Sequence, residues 1–131
     1  LIWTSARTSD QDLDPFNSDN VFQLKLNGHD RFSARGFSYF TRVQVWQYHT
    51  GICGLVKDSA VTGGGIEDNI AVYSFALKPE EHQPSGTCNF SRIDNAQLTN
   101  TGTEIPGANI CAVNYNVLRI MSGMGGLAYS N

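Results

Sequence analysis

The strongest constraint on this chain is a two-residue apolar alternation. In Val21-Phe22-Gln23-Leu24-Lys25-Leu26, the side chains of Phe22, Leu24 and Leu26 fall on one face and those of Gln23 and Lys25 on the other. That is the pattern of a half-buried strand. Asn27-Gly28 follows at once, a dipeptide suited to the left-handed backbone of a tight hairpin turn. Phe37–Tyr48 is rich in aromatic and β-branched residues. Its alternation changes phase between Phe40 and Val43, which predicts a bulged or bent strand. Ile70–Leu77 is apolar on both faces apart from Ser74, as in a strand buried on both sides. Thr87–Asp94 predicts another strand. Ile110–Met121 is the longest β-like run, with Cys111, Val113, Tyr115 and Val117 on one face. The firmest strands are thus 21–27, 70–77, 87–94 and 110–120. No window holds a helical period over three turns.

Between these runs lie turn and loop signals. Residues 51–69 contain Gly63-Gly64-Gly65 and many small polar groups, so they read as a long surface loop. Pro79 and Pro84 bracket a second loop, Lys78–Gly86. Residues 8–19 and 55–68 are expected at the surface, because acidic and glycine-rich stretches cannot form a core. About six short strands at this spacing, with little helix, predict a β-sandwich or part of one.

At 131 residues the chain is one domain at most. Only 16% of its residues are charged, against a usual share of about 25%, which predicts a surface partly covered by partners. The net charge of −3 sits in residues 1–20, where Arg7 faces Asp10, Asp12, Asp14 and Asp19. A nucleic-acid-binding domain would instead show a basic face. No apolar run approaches the ~20 residues needed to span a bilayer. The start, Leu1-Ile2-Trp3, has no basic segment or long apolar stretch of a secretory signal. It opens without a methionine on apolar residues, which reads as a longer chain cut inside a strand. Cys53, Cys88 and Cys111 form no CxxC pair and are expected as buried, reduced thiols.

The candidate chemistry is thin. Asp10-Gln11-Asp12-Leu13-Asp14 begins like a calcium loop, but Pro15 and Val21 stand where that loop needs Gly and Glu. His29, His49 and His82 make no HxH or HExxH pair, and Glu80-Glu81-His82 lies in a loop without evident partners. No Gly-x-Ser-x-Gly elbow exists. Ser122-Gly123-Met124-Gly125-Gly126 lacks the following helix that a phosphate loop needs; its glycines read as sites of positive φ or close chain packing. Asn89-Phe90-Ser91 is a single glycosylation sequon inside a predicted strand. Arg92 and Asp94, two apart on one predicted strand face, can pair along it or with neighbours and read as a partly buried structural polar network.

Two segments add a resemblance. Phe75-Ala76-Leu77-Lys78-Pro79-Glu80-Glu81-His82-Gln83-Pro84-Ser85-Gly86-Thr87-Cys88-Asn89-Phe90-Ser91-Arg92-Ile93-Asp94-Asn95 and Tyr115–Asn131 closely resemble the major capsid proteins of nucleocytoplasmic large DNA viruses, of chlorovirus, iridovirus and mimivirus type. A weaker match runs through Arg31-Phe32 to Gly36, Tyr39-Phe40 and His49-Thr50. The resemblance implies an all-β, antiparallel jelly-roll β-sandwich. Residues 1–131 would be the later strands of the second jelly roll in a double jelly-roll subunit, with the upstream strands and the first jelly roll lying outside this chain.

The implied function is structural: homotrimers of pseudo-hexagonal outline tile an icosahedral shell, assembled in the host cytoplasm and carried in the virion. The implied partners are the chain itself, neighbouring capsomers and minor capsid proteins, with outer loops available to the host surface. No cofactor, catalytic residue, metal, direct nucleic-acid contact or membrane insertion is implied. The signature residues are expected to set fold and packing: Pro79, Glu80, Glu81, His82, Pro84, Gly86, Asn89, Arg92, Asp94, Arg119, Gly123, Gly125 and Gly126. Two other readings compete. A carbohydrate-binding β-sandwich, lectin-like or a fibre head, needs exposed aromatics, for which Trp3, Trp46 and Tyr48 are candidates. A cupin-type metalloenzyme is disfavoured by the histidine spacing.

Overall fold

A computed structural model of the chain describes residues 1–5, 16–50, 55–56, 66–82, 85–105 and 108–129. The Asp10–Asp14 run, Cys53 and Pro84 lie outside them. The elements in chain order are β1 (Ile2–Thr4), β2 (Val21–Leu26), β3 (His29–Asp30), β4 (Arg35–Gly36), a π-helical turn (Tyr39–Val43), α1 (Gln44–Tyr48), β5 (Leu55–Val56), β6 (Ile66–Glu67) and β7 (Ile70–Val72). A 3-10 turn (Phe90–Arg92), β8 (Ala96–Thr101), β9 (Ile110–Cys111), β10 (Leu118–Met121) and β11 (Met124–Leu127) follow.

Every pairing is antiparallel. β1 lies between β7 and β9, with Trp3 opposite Ala71 on one side and Ile110 on the other. β2 pairs with β3, β4 and, along its full length, β8. The alternation of β2 explains how the sheets meet. Phe22 and Leu24 point inward and are buried, while Gln23 and Lys25 lie on the other face and are only partly covered. Across from them is Trp3 of β1, its ring 5.3 Å from Phe22 and 5.2 Å from Phe40. Phe16, Ala71 and Tyr73 complete the core. The Asn27-Gly28 turn forms as expected, both residues at positive φ (51° and 79°) between β2 and β3.

Several expectations are corrected. Phe37–Tyr48 is not a bent strand but a helical segment, and its phase change falls on the π-helical turn. Phe40, Thr41 and Gln44 are its buried residues. They keep a helical spacing, but two of the three are polar, which hid the period. Gln44 is tolerated inside because its amide donates to the Tyr39 hydroxyl (2.8 Å) and accepts from the Ser74 N–H (3.3 Å). The strand expected at 70–77 is only Ile70–Val72, its pairing carried on by the reciprocal backbone bonds of Tyr73 with Leu1 (2.9 and 2.8 Å). It is buried on one face, at Ala71 and Tyr73, while Ile70 on the other is 40% exposed.

Residues 87–94 form no strand. The Asn89 side chain accepts a hydrogen bond from the Ser91 N–H (3.0 Å) and caps the 3-10 turn. The run 110–120 splits into β9 and β10, because Asn114 and Asn116 bond the N–H of their own next residue (both 2.8 Å) instead of a ladder partner. Strand β8, unforeseen, is polar at every position but Ala96 and Leu98. Within the expected loops, β5 pairs with β6, and Phe16, Asp68 and Asn69 are buried. Cys111 is exposed and Cys88 half-buried, so neither is the buried thiol expected.

Among the described residues after Ile105, none is buried.

Candidate functional site

The signature residues fall into two places. The first is the turn at Lys78–His82. Glu80 reaches across to the residues that follow α1. Its carboxylate accepts from the Thr50 backbone N–H (2.9 Å) and from the Thr50 hydroxyl, and lies 3.2 Å from His49 Nδ1. These bonds, the Thr50 hydroxyl first, hold the Glu80 carboxyl below the usual carboxylate range. Glu81 works on the other side: its carboxylate pairs with Lys78 Nζ at 3.0 Å, and its backbone carbonyl accepts from the Tyr115 hydroxyl at 2.8 Å. The turn therefore joins the end of α1 to the segment between β9 and β10 that leads into the hairpin. Lys78 N–H closes the loop by donating to Ser85 Oγ (2.6 Å).

Pro79 is half-buried and His82 exposed. Gly86 has φ +142°, and a Cβ there would stand 3.1 Å from the Phe75 carbonyl oxygen, so glycine is needed on both counts. Arg92 and Asp94 are both exposed and do not share a strand face, so the partly buried polar network expected there is not found. Asp94 acts instead through its backbone N–H, which donates to Asn27 Oδ1 (2.9 Å).

The second place is the hairpin β10–β11. Ser122 and Gly123 form its two-residue turn, both at positive φ (51° and 77°). Arg119 pairs with Gly126 and Ile120 with Gly125. Asn116 closes the base, its Nδ2 donating to the Tyr129 carbonyl (2.8 Å) and its Oδ1 accepting from the Tyr129 N–H (3.2 Å). Leu118, Ile120, Met124 and Leu127 are 64, 69, 75 and 63% exposed.

Chemically, the arrangement offers contact rather than reaction. His29 and His82 are exposed, and His49 alone of the three pairs with Glu80 among the described ion pairs. Among the described residues no three His, Cys, Asp or Glu side chains converge as metal ligands. No described helix is long and apolar enough to cross a membrane. Trp3 is buried, Tyr48 partly so, and Trp46 stands 78% exposed on α1. Sequence reasoning missed the Arg42–Asp68 fork, with Nη2–Oδ2 at 2.6 Å and Nε–Oδ1 at 3.1 Å. It also missed Asp19, whose carboxylate accepts from Thr103 Oγ1 (2.7 Å) and Thr103 N–H (3.1 Å). Neither pair has a local signal, because the partners lie far apart in sequence.

This antiparallel β fold, with its signature turn and hairpin, has close counterparts. Residues 3–126 match the family described as large eukaryotic DNA virus major capsid protein. The chain is 48% identical to the major capsid protein of Pyramimonas orientalis virus, over all of this chain and 36% of that protein. It is 57% identical to that of Phaeocystis pouchetii virus, over 85% of this chain and 20% of that protein. The fold matches the crystal structure of PBCV-1 VP54 fitted into a reconstruction of the virophage Sputnik. That match has TM-score 0.65 and 30% identity, and takes in 99% of this chain and 42% of that one. The chain belongs to the large DNA virus major capsid protein family, and its fold is the all-β jelly roll expected from the sequence. It spans about a third or less of the curated relatives described here.

Proposed function

We propose that this chain is the C-terminal part of the second jelly roll of a major capsid subunit, and that it works by assembly. The observation that carries this reading is the apolar surface left open on a chain of capsid-family sequence. The C-terminal hairpin is uncovered on its Leu118–Ile120–Leu127 face. Exposed apolar patches of this kind mark contact surfaces. Upstream strands would complete the two sheets, and a homotrimer of pseudo-hexagonal outline would tile an icosahedral shell beside minor capsid proteins. Many modest contacts then add through symmetry. The signature residues act in this reading as structural ties, Glu80 and Glu81 above all, and the subunit carries out no reaction. The protein would be assembled in the host cytoplasm and reside in the virion.

Electron microscopy of the purified full-length polypeptide tests this. Particles of hexagonal outline with three-fold averages are expected; featureless monomers at every concentration would contradict it. The carbohydrate-binding alternative rests on Trp46 and the half-buried Tyr48, since Trp3 is buried in the core. A glycan-array signal that disappears in Trp46→Ala would favour it.

A further inference from the structure

The turn between β2 and β3 carries a reactive pair that its role in the hairpin does not use. Asparagine is a thermolabile side chain, and most of all before glycine, whose missing Cβ leaves the next peptide nitrogen open to the carboxamide. Asn27-Gly28 is the only Asn-Gly in the sequence. The Gly28 nitrogen can attack Asn27 Cγ. The new C–N bond closes a succinimide ring, and the side-chain amide leaves as ammonia, taking the Gly28 amide proton. Water then opens the ring. Opening at the side-chain carbonyl gives an ordinary aspartyl residue; opening at the main-chain carbonyl gives an isoaspartyl link, with the chain routed through Cβ.

In the fold, the Asn27 carboxamide is held elsewhere. Its Oδ1 accepts from the Asp94 N–H (2.9 Å) and the Asn95 N–H (3.2 Å). The Asn27 backbone N–H donates to the Asn95 carbonyl (2.8 Å). These bonds pin the turn to the chain entering β8, where Leu26 is paired with both His29 and Ala96. Two N–H groups on a carbonyl oxygen also draw charge from its carbon and favour attack, but only by a nucleophile within reach. Ring closure needs the carboxamide to turn back over the Gly28 nitrogen. It cannot turn while the Asp94 and Asn95 N–H groups hold its oxygen, so position outweighs polarisation. We infer that Asn27-Gly28 is a latent self-modification site, converted to aspartyl and isoaspartyl forms when the turn opens, and that the Asp94 and Asn95 N–H groups keep it shut in the folded protein. The reaction needs water and no other partner. The aspartyl product keeps an acceptor for both N–H groups and adds negative charge to it. The isoaspartyl product puts an extra carbon into a turn whose length sets the β2–β3 register, and so undoes that pairing. The site thus marks chains by the time they have spent open.

The test follows Asn27 in the full-length polypeptide by peptide mass spectrometry, during long incubation at mildly alkaline pH in native buffer and in concentrated guanidinium chloride. Electron-transfer fragmentation separates aspartyl from isoaspartyl products. In guanidinium, Asn27 should convert faster than any other asparagine of residues 1–131, and Gly28→Ala should slow it. In native buffer, conversion should be at least about tenfold slower. It should be slowed by the same factor that protects the Asn95 amide from hydrogen exchange, because both need the same opening. Asn95→Pro removes one donor and keeps the reactive pair; it should raise the native rate and leave the guanidinium rate as it was. The comparison with exchange at the Asn95 amide uses the unaltered sequence, and decides the matter even where Asn95→Pro fails to fold. Equal rates in the two solvents would overturn the inference. So would a faster native rate, which would make the two N–H groups an oxyanion site driving ring closure, and so would an Asn27 that survives in guanidinium.

Discussion

The indole of Trp3 stands edge-on to the ring of Phe22, centroids 5.3 Å apart and planes at 70°, and at that contact the β1 sheet meets the β2 sheet. Both side chains are 2% exposed. Phe22→Ala removes the ring and leaves a cavity between the sheets, at a cost of about 3–5 kcal/mol. That is a large part of a usual total of ~5–15 kcal/mol. Trp46→Ala, on the outside of α1, should change stability by less than about 0.5 kcal/mol. Urea unfolding of the full-length polypeptide followed by circular dichroism separates the two; equal midpoints would refute this placement of the core.

Acid should loosen the tie at Glu80. Its carboxyl is held below the ordinary value of 4.5 by the Thr50 hydroxyl, the Thr50 N–H and His49. Asp19 is held below 3.8 mainly by the Thr103 hydroxyl. A carboxylate with a depressed folded-state pKa contributes stability that is present above the unfolded-state value and lost as pH falls through the folded one. Urea midpoints should therefore be insensitive to these groups above about pH 5 and fall steadily below it. In Glu80→Gln the first part of that fall should flatten. Parallel curves for the two proteins would show that Glu80 contributes no such tie.

Arg42 and Asp68 form the most buried charged contact described. Burial pushes the Asp68 carboxyl up, but the Arg42 bonds and charge outweigh it and hold the carboxyl low. Arg42→Met leaves a carboxylate that is only 6% exposed without its fork. The expected loss is about 1–3 kcal/mol, with Asp68 titrating at higher pH. Carbon-detected NMR of the Asp68 carboxyl reads the second effect directly, and an unmoved titration would contradict it.

Gly102 is the position least tolerant of a side chain. Its φ is +132°, and a Cβ would stand 2.2 Å from the Asp19 carbonyl oxygen. Gly102→Ala should destabilise by more than the ~1–3 kcal/mol of backbone strain alone, because the clashing atom is backbone and cannot swing away. Gly36→Ala, with open space around it and ordinary backbone, should be close to neutral. Thermal unfolding of both variants makes the comparison.

Legibility in the sequence followed periodicity. β2 was plain because Phe22 and Leu24 face a core while Gln23 and Lys25 do not, and its turn was plain because Asn27-Gly28 has few conformations to choose from. The helical segment was hidden by Thr41 and Gln44, polar residues in buried positions whose partners come from elsewhere in the chain. β8 was hidden because an exposed strand at the side of β2 has no need of apolar alternation. In the candidate site, the long segments at 75–95 and 115–131 were readable as family sequence, but their physical work was not. The Glu80–Thr50 bond spans thirty residues, and no local pattern records a tie of that reach.

The central claim is that this sequence serves by joining subunits, and sedimentation equilibrium of the full-length polypeptide tests it most directly. The account predicts a mass of three subunits that persists over a wide concentration range. A monodisperse, cooperatively unfolding monomer at every concentration would contradict it.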